Sequence, residues 1–209
     1  RLLLLLLLTP PSHLFPALPH ARTSQTASKL VGVELAAAIY AAVKFTRQLD
    51  LRGELAPLTA DQASAIWLYT LESPFYKNLN RLLRGEDRTQ LKPFFPYLKL
   101  FLSALRRIPP EAAELHRGIK LDFAEINKNG NYAKGGDVIL WSVTSATSDL
   151  EVLADEQFLG LSGARTQFNL TVLNARNIVR YSAVKKESEL LILPGTPFTV
   201  ERVLRAPGG

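Results

Sequence analysis

The apolar residues of this chain change their period once, at Pro109-Pro110, and no single type of element accommodates both patterns. Upstream they recur at helical spacing; downstream they alternate or form short runs between turn residues. The upstream half predicts a helix over Glu34–Gln48, its following turn ended by Gly53. A second follows the capping box Thr59-Ala60-Asp61-Gln62 and carries Ala63, Ile66, Trp67 and Leu71. A third opens at Ser73-Pro74 and stops at Gly85, proline being preorganised for a first helical turn. A fourth runs from about Pro93 through Leu98, Leu102 and Leu105 to the two prolines, which cannot continue it. Downstream, strands are predicted at 115–121, 138–145, 166–173, 177–181, 189–193 and 198–204. The expected architecture is α+β, a helical N-terminal lobe over about 29–110 and a β-rich core over about 111–205.

At 209 residues the chain can bury one good core. Its 47% hydrophobic and 21% charged content is ordinary for a globular protein. Residues 1–33 carry Arg1, Arg22 and Lys29 and no acid, which is half of the formal charge of +6. The remainder is only mildly basic, which argues against nucleic acid as a partner. The lack of cysteine excludes disulfides and thiolate metal sites. Two of the three histidines, His13 and His20, lie near the start, so no catalytic metal is expected. Residues 1–28 read as a leader or unstructured segment. The run Leu2 to Leu8 behind Arg1 is too short to span a bilayer but fits the apolar centre of a signal peptide. Secretion is favoured on that reading; a transit peptide or a cytoplasmic protein with a low-complexity tract is the alternative. No transmembrane segment is predicted, and a monomer is expected.

Several nucleotide-binding signals are missing. No G-x-G-x-x-G follows a strand, and Gly130 to Gly136 lacks the Lys-Ser/Thr of a P-loop, so a dinucleotide would bind without a Rossmann fold. Asn169-Leu170-Thr171 is a glycosylation sequon, but within a predicted strand. Phe94, Phe95 and Tyr97 near Lys92 and Lys99 fit a helix core better than a base-stacking platform.

Three segments carry chemistry. Leu115-His116-Arg117-Gly118-Ile119 joins an apolar run to arginine and glycine. Val138 to Ser148 is an apolar run that dissolves into hydroxyls. Glu187-Ser188-Glu189 sets two carboxylates one residue apart at the mouth of Leu190 to Leu193. In a strand, residues two apart share a face, which would point both acids into one site. Arg-Gly, then Ser-x-Thr, then E-x-E, in that order, resembles the arginine–serine–glutamate class of mono-ADP-ribosyltransferases, which includes vertebrate ecto-enzymes and bacterial toxins. The resemblance runs from about Leu58 to Val203 and includes Phe158-Leu159-Gly160, Gly163-Ala164-Arg165-Thr166 and Leu193-Pro194-Gly195 with Phe198.

The resemblance implies an ADP-ribosyltransferase-like fold over residues 29–209, with a helical lobe on a β-sandwich core that binds NAD. It implies an NAD(P)+–protein-arginine ADP-ribosyltransferase that needs no metal and whose partner is a protein with an exposed arginine. By resemblance Glu189 stabilises the oxocarbenium-like ribose left when nicotinamide departs, as carboxylates do in glycoside cleavage. Arg117 anchors the pyrophosphate through its planar fork, and Gly118 lets the dinucleotide approach the backbone. His116 stands where the family often has an aromatic residue, and is expected to be a wall of the site. Ser145 is the motif serine and would hold Glu189 and the ribose, with Thr147 in support; Ser142 is the alternative. Ala146 and Val143 depart from the family pattern. Leu150 to Gly163 would fold over the nicotinamide and phosphates, Arg165 adding a phosphate contact or merely opening a strand. Asn177 to Lys186 would face the target, with Tyr181 stacking on a guanidinium. Glu187, the first acid of E-x-E, implies an arginine acceptor, because a guanidinium is not nucleophilic until a base orients and deprotonates it. An NAD glycohydrolase or an inactive NAD- or protein-binding domain are the competing readings.

Overall fold

The computed structural model describes residues 24–71, 73–155, 159–184 and 188–204, and of residues 24–34 the helical path alone. The leader reading therefore falls, up to residue 23, outside the described residues. The chain separates into two compact units. One runs to Pro109 and includes Arg180–Lys185; the other comprises Pro110–Val179 and Lys186–Gly209.

The first unit is helical: α1 (Ser24–Leu51), α2 (Ala60–Thr70), α3 (Pro74–Arg84), a 3-10 helix (Arg88–Phe94) and α4 (Phe95–Arg107). The capping box forms: Thr59 N–H donates to Gln62 Oε1 at 3.0 Å and Gln62 N–H to Thr59 Oγ1 at 3.3 Å. Helix α1 begins upstream of the expected Glu34, inside the segment read as unstructured. Pro93 sits inside the 3-10 helix instead of opening α4. Phe101 and Leu105 of α4 and Ile66 of α2 are fully buried, as helical spacing requires. Tyr69, Phe101 and Tyr97 stack with centroids 4.8 Å and 5.6 Å apart.

Tyr97 is 1% exposed, and its hydroxyl donates to the Ala65 carbonyl at 2.9 Å. Burial, aided by the charge of neighbouring Tyr69, raises its pKa well above the ordinary 10.0. Below pH 10 both folded and unfolded states keep the phenolic proton, so the contribution to stability is constant. As pH rises past 10 the unfolded phenol ionises before the folded one, and stability is lost. Tyr97→Phe is expected to cost about 1 kcal/mol at pH 8 through the lost hydrogen bond. That difference should shrink above pH 10; a constant difference in urea unfolding at both pH values contradicts this account.

Tyr181, expected on a target-facing loop, belongs to this core instead. It is 3% exposed, and its hydroxyl donates to the carbonyls of Leu55 and Ala56 at 3.2 and 3.0 Å. A ring held that way cannot stack on a ligand, so Tyr181 is a structural anchor.

Among the described residues the second unit holds six strands: β1 (Glu111–Ile119), β2 (Asp137–Leu140), β3 (Thr144–Thr147), β4 (Thr166–Asn177), β5 (Glu189–Ile192) and β6 (Thr196–Thr199). A short helix α5 (Phe123–Ile126) follows β1. Four strands close on themselves in the order β1-β3-β5-β4, and β2 pairs with β6 in a separate sheet. All pairings are antiparallel, so the class is α+β. The run read as one strand over 138–145 is two, because Leu140 pairs with Thr196 while Thr144 pairs with Ile192 in the other sheet. No separate strand forms at 177–181; β4 runs on to Asn177 and the chain then turns. Leu115, Ala146, Val172, Ala175, Leu190 and Ile192 form the core of this unit.

A polar face of the closed sheet as the candidate active site

Directly opposed residues of an antiparallel pair project from the same face. His116 of β1 faces Thr147 of β3, and Thr147 faces Glu189 of β5. On the far side of β1, His116 faces Asn169 of β4. Asn169, His116, Thr147 and Glu189 therefore form one row across four strands. Ser145, two residues from Thr147 and opposite Leu191, shares that face. Alternation assigns the other face to Leu115, Ala146, Leu190 and Ile192, all members of the core. One face of the sheet is thus apolar and inward, and the other carries the motif residues.

Thr147 and Glu189 are 6% and 7% exposed. The Thr147 hydroxyl oxygen accepts from Asp149 N–H at 3.0 Å, which fixes the end of β3. Arg117 is out of phase with His116 and starts from the core side of β1. Its guanidinium nevertheless reaches β3, Nη1 donating to the Ser145 carbonyl at 2.6 Å. Arg117, Ser145, Thr147 and Glu189, distant in sequence, are thereby brought to adjoining positions. The Ser145 hydroxyl makes no hydrogen bond among the described residues, and it is Thr147 that lies opposite Glu189.

Gly118 is needed by the protein's own packing. A Cβ built there would lie 2.6 Å from Leu159 Cβ, closer than side-chain carbons approach. Leu159, from the segment expected to fold over the site, already covers this point and is 8% exposed. Phe158 beside it lies outside the described residues.

The strand reading of the E-x-E pair reaches back only to Glu189. Strand β5 starts at Glu189, and Ser188 has φ 43°, the left-handed region that a non-glycine residue seldom enters. Strand alternation does not extend back across Ser188, so it does not assign Glu187 to the face of Glu189. Glu187 itself lies outside the described residues.

Asn169 is the residue that sequence reading missed. Its Oδ1 accepts from His116 Nδ1 at 2.8 Å and from Gln167 Nε2 at 2.8 Å. The sequon drew attention to its side chain for another reason, and only the pairing of β4 with β1 brings it to this row. No cluster of three or more metal-ligating side chains occurs among the described residues. No helix among them is long and apolar enough to cross a membrane.

Residues 25–208 match the sequence profile of the NAD:arginine ADP-ribosyltransferase family. No curated protein matches the chain. Solved structures do. The eukaryotic mono-ADP-ribosyltransferase ART2.2 is similar with a TM-score of 0.65 and 20% identity, over 88% of this chain and 77% of that one. ADP-ribosyltransferase HopU1 of Pseudomonas syringae pv. tomato DC3000 gives 0.62 and 19%, over 74% and 75% of the two chains. ADP-ribosyltransferase Vis of Vibrio splendidus, in complex with agmatine, gives 0.58 and 19%, over 81% and 80%. These likenesses agree on the fold.

Proposed function

This chain belongs to the NAD:arginine ADP-ribosyltransferase family, and on that premise we propose that it transfers ADP-ribose from NAD to an arginine side chain of a protein acceptor. The bond from the ribose anomeric carbon to nicotinamide breaks, and nicotinamide leaves with the bonding electrons as a neutral molecule. A guanidinium nitrogen bonds to the same carbon and gives up its proton to a carboxylate. The observation that carries this reading is the row that sets Glu189 against Thr147 and beside Ser145, with Arg117 reaching the same strand.

Glu189 stabilises the positive charge that develops on the ribose. It is held at a strand start and largely shielded from water, where a fixed charge counts for more than in solution. Arg117 supplies the planar cation for the pyrophosphate, since a guanidinium fork matches phosphate oxygens bidentately. Ser145 and Thr147 line the ribose, and Glu187 orients and deprotonates the acceptor guanidinium. Agmatine, bound in the Vis structure, carries the guanidinium of arginine and supports the acceptor class.

The test is a reaction of the full chain with labelled NAD, with and without agmatine, following free nicotinamide and modified agmatine. Transfer of label to agmatine, in step with nicotinamide release, is the expected result. Nicotinamide release that ignores agmatine means that water is the acceptor. No release under either condition overturns the enzymatic reading.

A further inference from the structure

His116 departs from the aromatic residue expected before the site arginine, and its surroundings show what the imidazole adds. Its Nδ1 lies 2.8 Å from Asn169 Oδ1, an atom that only accepts hydrogen bonds. The same Oδ1 takes a second N–H from Gln167 Nε2, which holds the amide in that orientation. Nδ1 therefore bears the proton, and Nε2 of the neutral ring is a bare acceptor. Nε2 has no hydrogen-bond partner among the described residues, and His116 is only half-buried. The ring stands on the face of Thr147 and Glu189, two strand spacings or roughly 10 Å from Glu189 along the sheet. Phenylalanine or tyrosine at this position would offer no acceptor nitrogen there.

We propose that His116 is a substrate-contact residue whose Nε2 accepts a hydrogen bond from a hydroxyl of the nicotinamide ribose, with Asn169 as the positioning residue that fixes its tautomer. The inference rests on the reading of this face as the NAD site. It gives the ribose an acceptor on each side, the carboxylate of Glu189 and the imidazole of His116. A contact made equally before and during bond cleavage changes KM and leaves kcat alone.

Three variants of the full chain test this by steady-state release of nicotinamide from NAD. His116→Phe keeps a planar ring and removes the acceptor; KM is expected to rise about tenfold with kcat within about twofold, the worth of one hydrogen bond. His116→Gln sets an amide oxygen near the place of Nε2 and is expected to restore most of the affinity. Asn169→Ala leaves the ring unlocked and should raise KM severalfold in the wild-type background. It should have no further effect on top of His116→Phe, because it acts only through the imidazole. An unchanged KM in His116→Phe with the fold intact overturns the contact. Additive effects in the double variant overturn the positioning role of Asn169. If the unaltered chain releases no nicotinamide at all, the reading of the face itself has failed, and this inference falls with it.

Discussion

Glu189→Gln is expected to reduce nicotinamide release and arginine modification together, each by about 10²–10³-fold. The amide has nearly the shape of the carboxylate, so the start of β5 and its pairing with Thr147 should persist. On the proposed mechanism, what is lost is the negative charge facing the ribose as its bond to nicotinamide breaks, a step common to every acceptor. The residue is 7% exposed, and water cannot easily supply a substitute. Urea unfolding should show that the variant remains folded, so that the loss is one of chemistry. Both products must be measured on the same sample. If one activity survives near its original level, Glu189 does not act at the cleaved bond.

Glu187→Gln should fail differently. The charge of Glu189 remains, so nicotinamide still departs, and water can capture the sugar. On the proposed roles the acceptor guanidinium loses the group that orients it and takes its proton, and transfer to agmatine is expected to fall by about 10²–10⁴-fold. The informative quantity is the ratio of modified agmatine to free nicotinamide, which should collapse while slow nicotinamide release continues. Equal loss of both products would mean that the two acids work as one unit in bond cleavage. Unimpaired transfer would refute the assignment of arginine acceptance to Glu187.

The helical half was legible because its signals are local. Thr59 and Gln62 lie three residues apart and bond each other, and the spacing of Ile66, Leu98 and Leu105 alone predicts their burial. The strands were legible as positions and not as partners. Nothing in Val138 to Ser145 reveals that the chain changes sheets between Leu140 and Thr144, since each half pairs with residues some fifty positions downstream. Tyr181 was misplaced for a related reason: its hydroxyl bonds to carbonyls at Leu55 and Ala56, and no local pattern announces so distant a contact. The site was half legible. Arg117, Ser145, Thr147 and Glu189 could be read as an ordered series of motifs, and the strand register sets them on neighbouring positions. Asn169 could not, because its importance lies in facing His116 across β1 and β4. The shared face of Glu187 and Glu189 was inferred from a strand running through both, and the described strand begins only at Glu189, after the left-handed Ser188.

That left-handed turn at Ser188 also limits which residues this position accepts. A residue in the left-handed region cannot be part of an extended strand, so the strand begins after it. Glu189, the next residue, opens β5 and is tied to the sheet through Thr147. Ser188 is therefore the constrained residue. Glycine or asparagine could replace Ser188 with the turn preserved, but a β-branched residue would resist the conformation and disturb the start of the strand that holds Glu189.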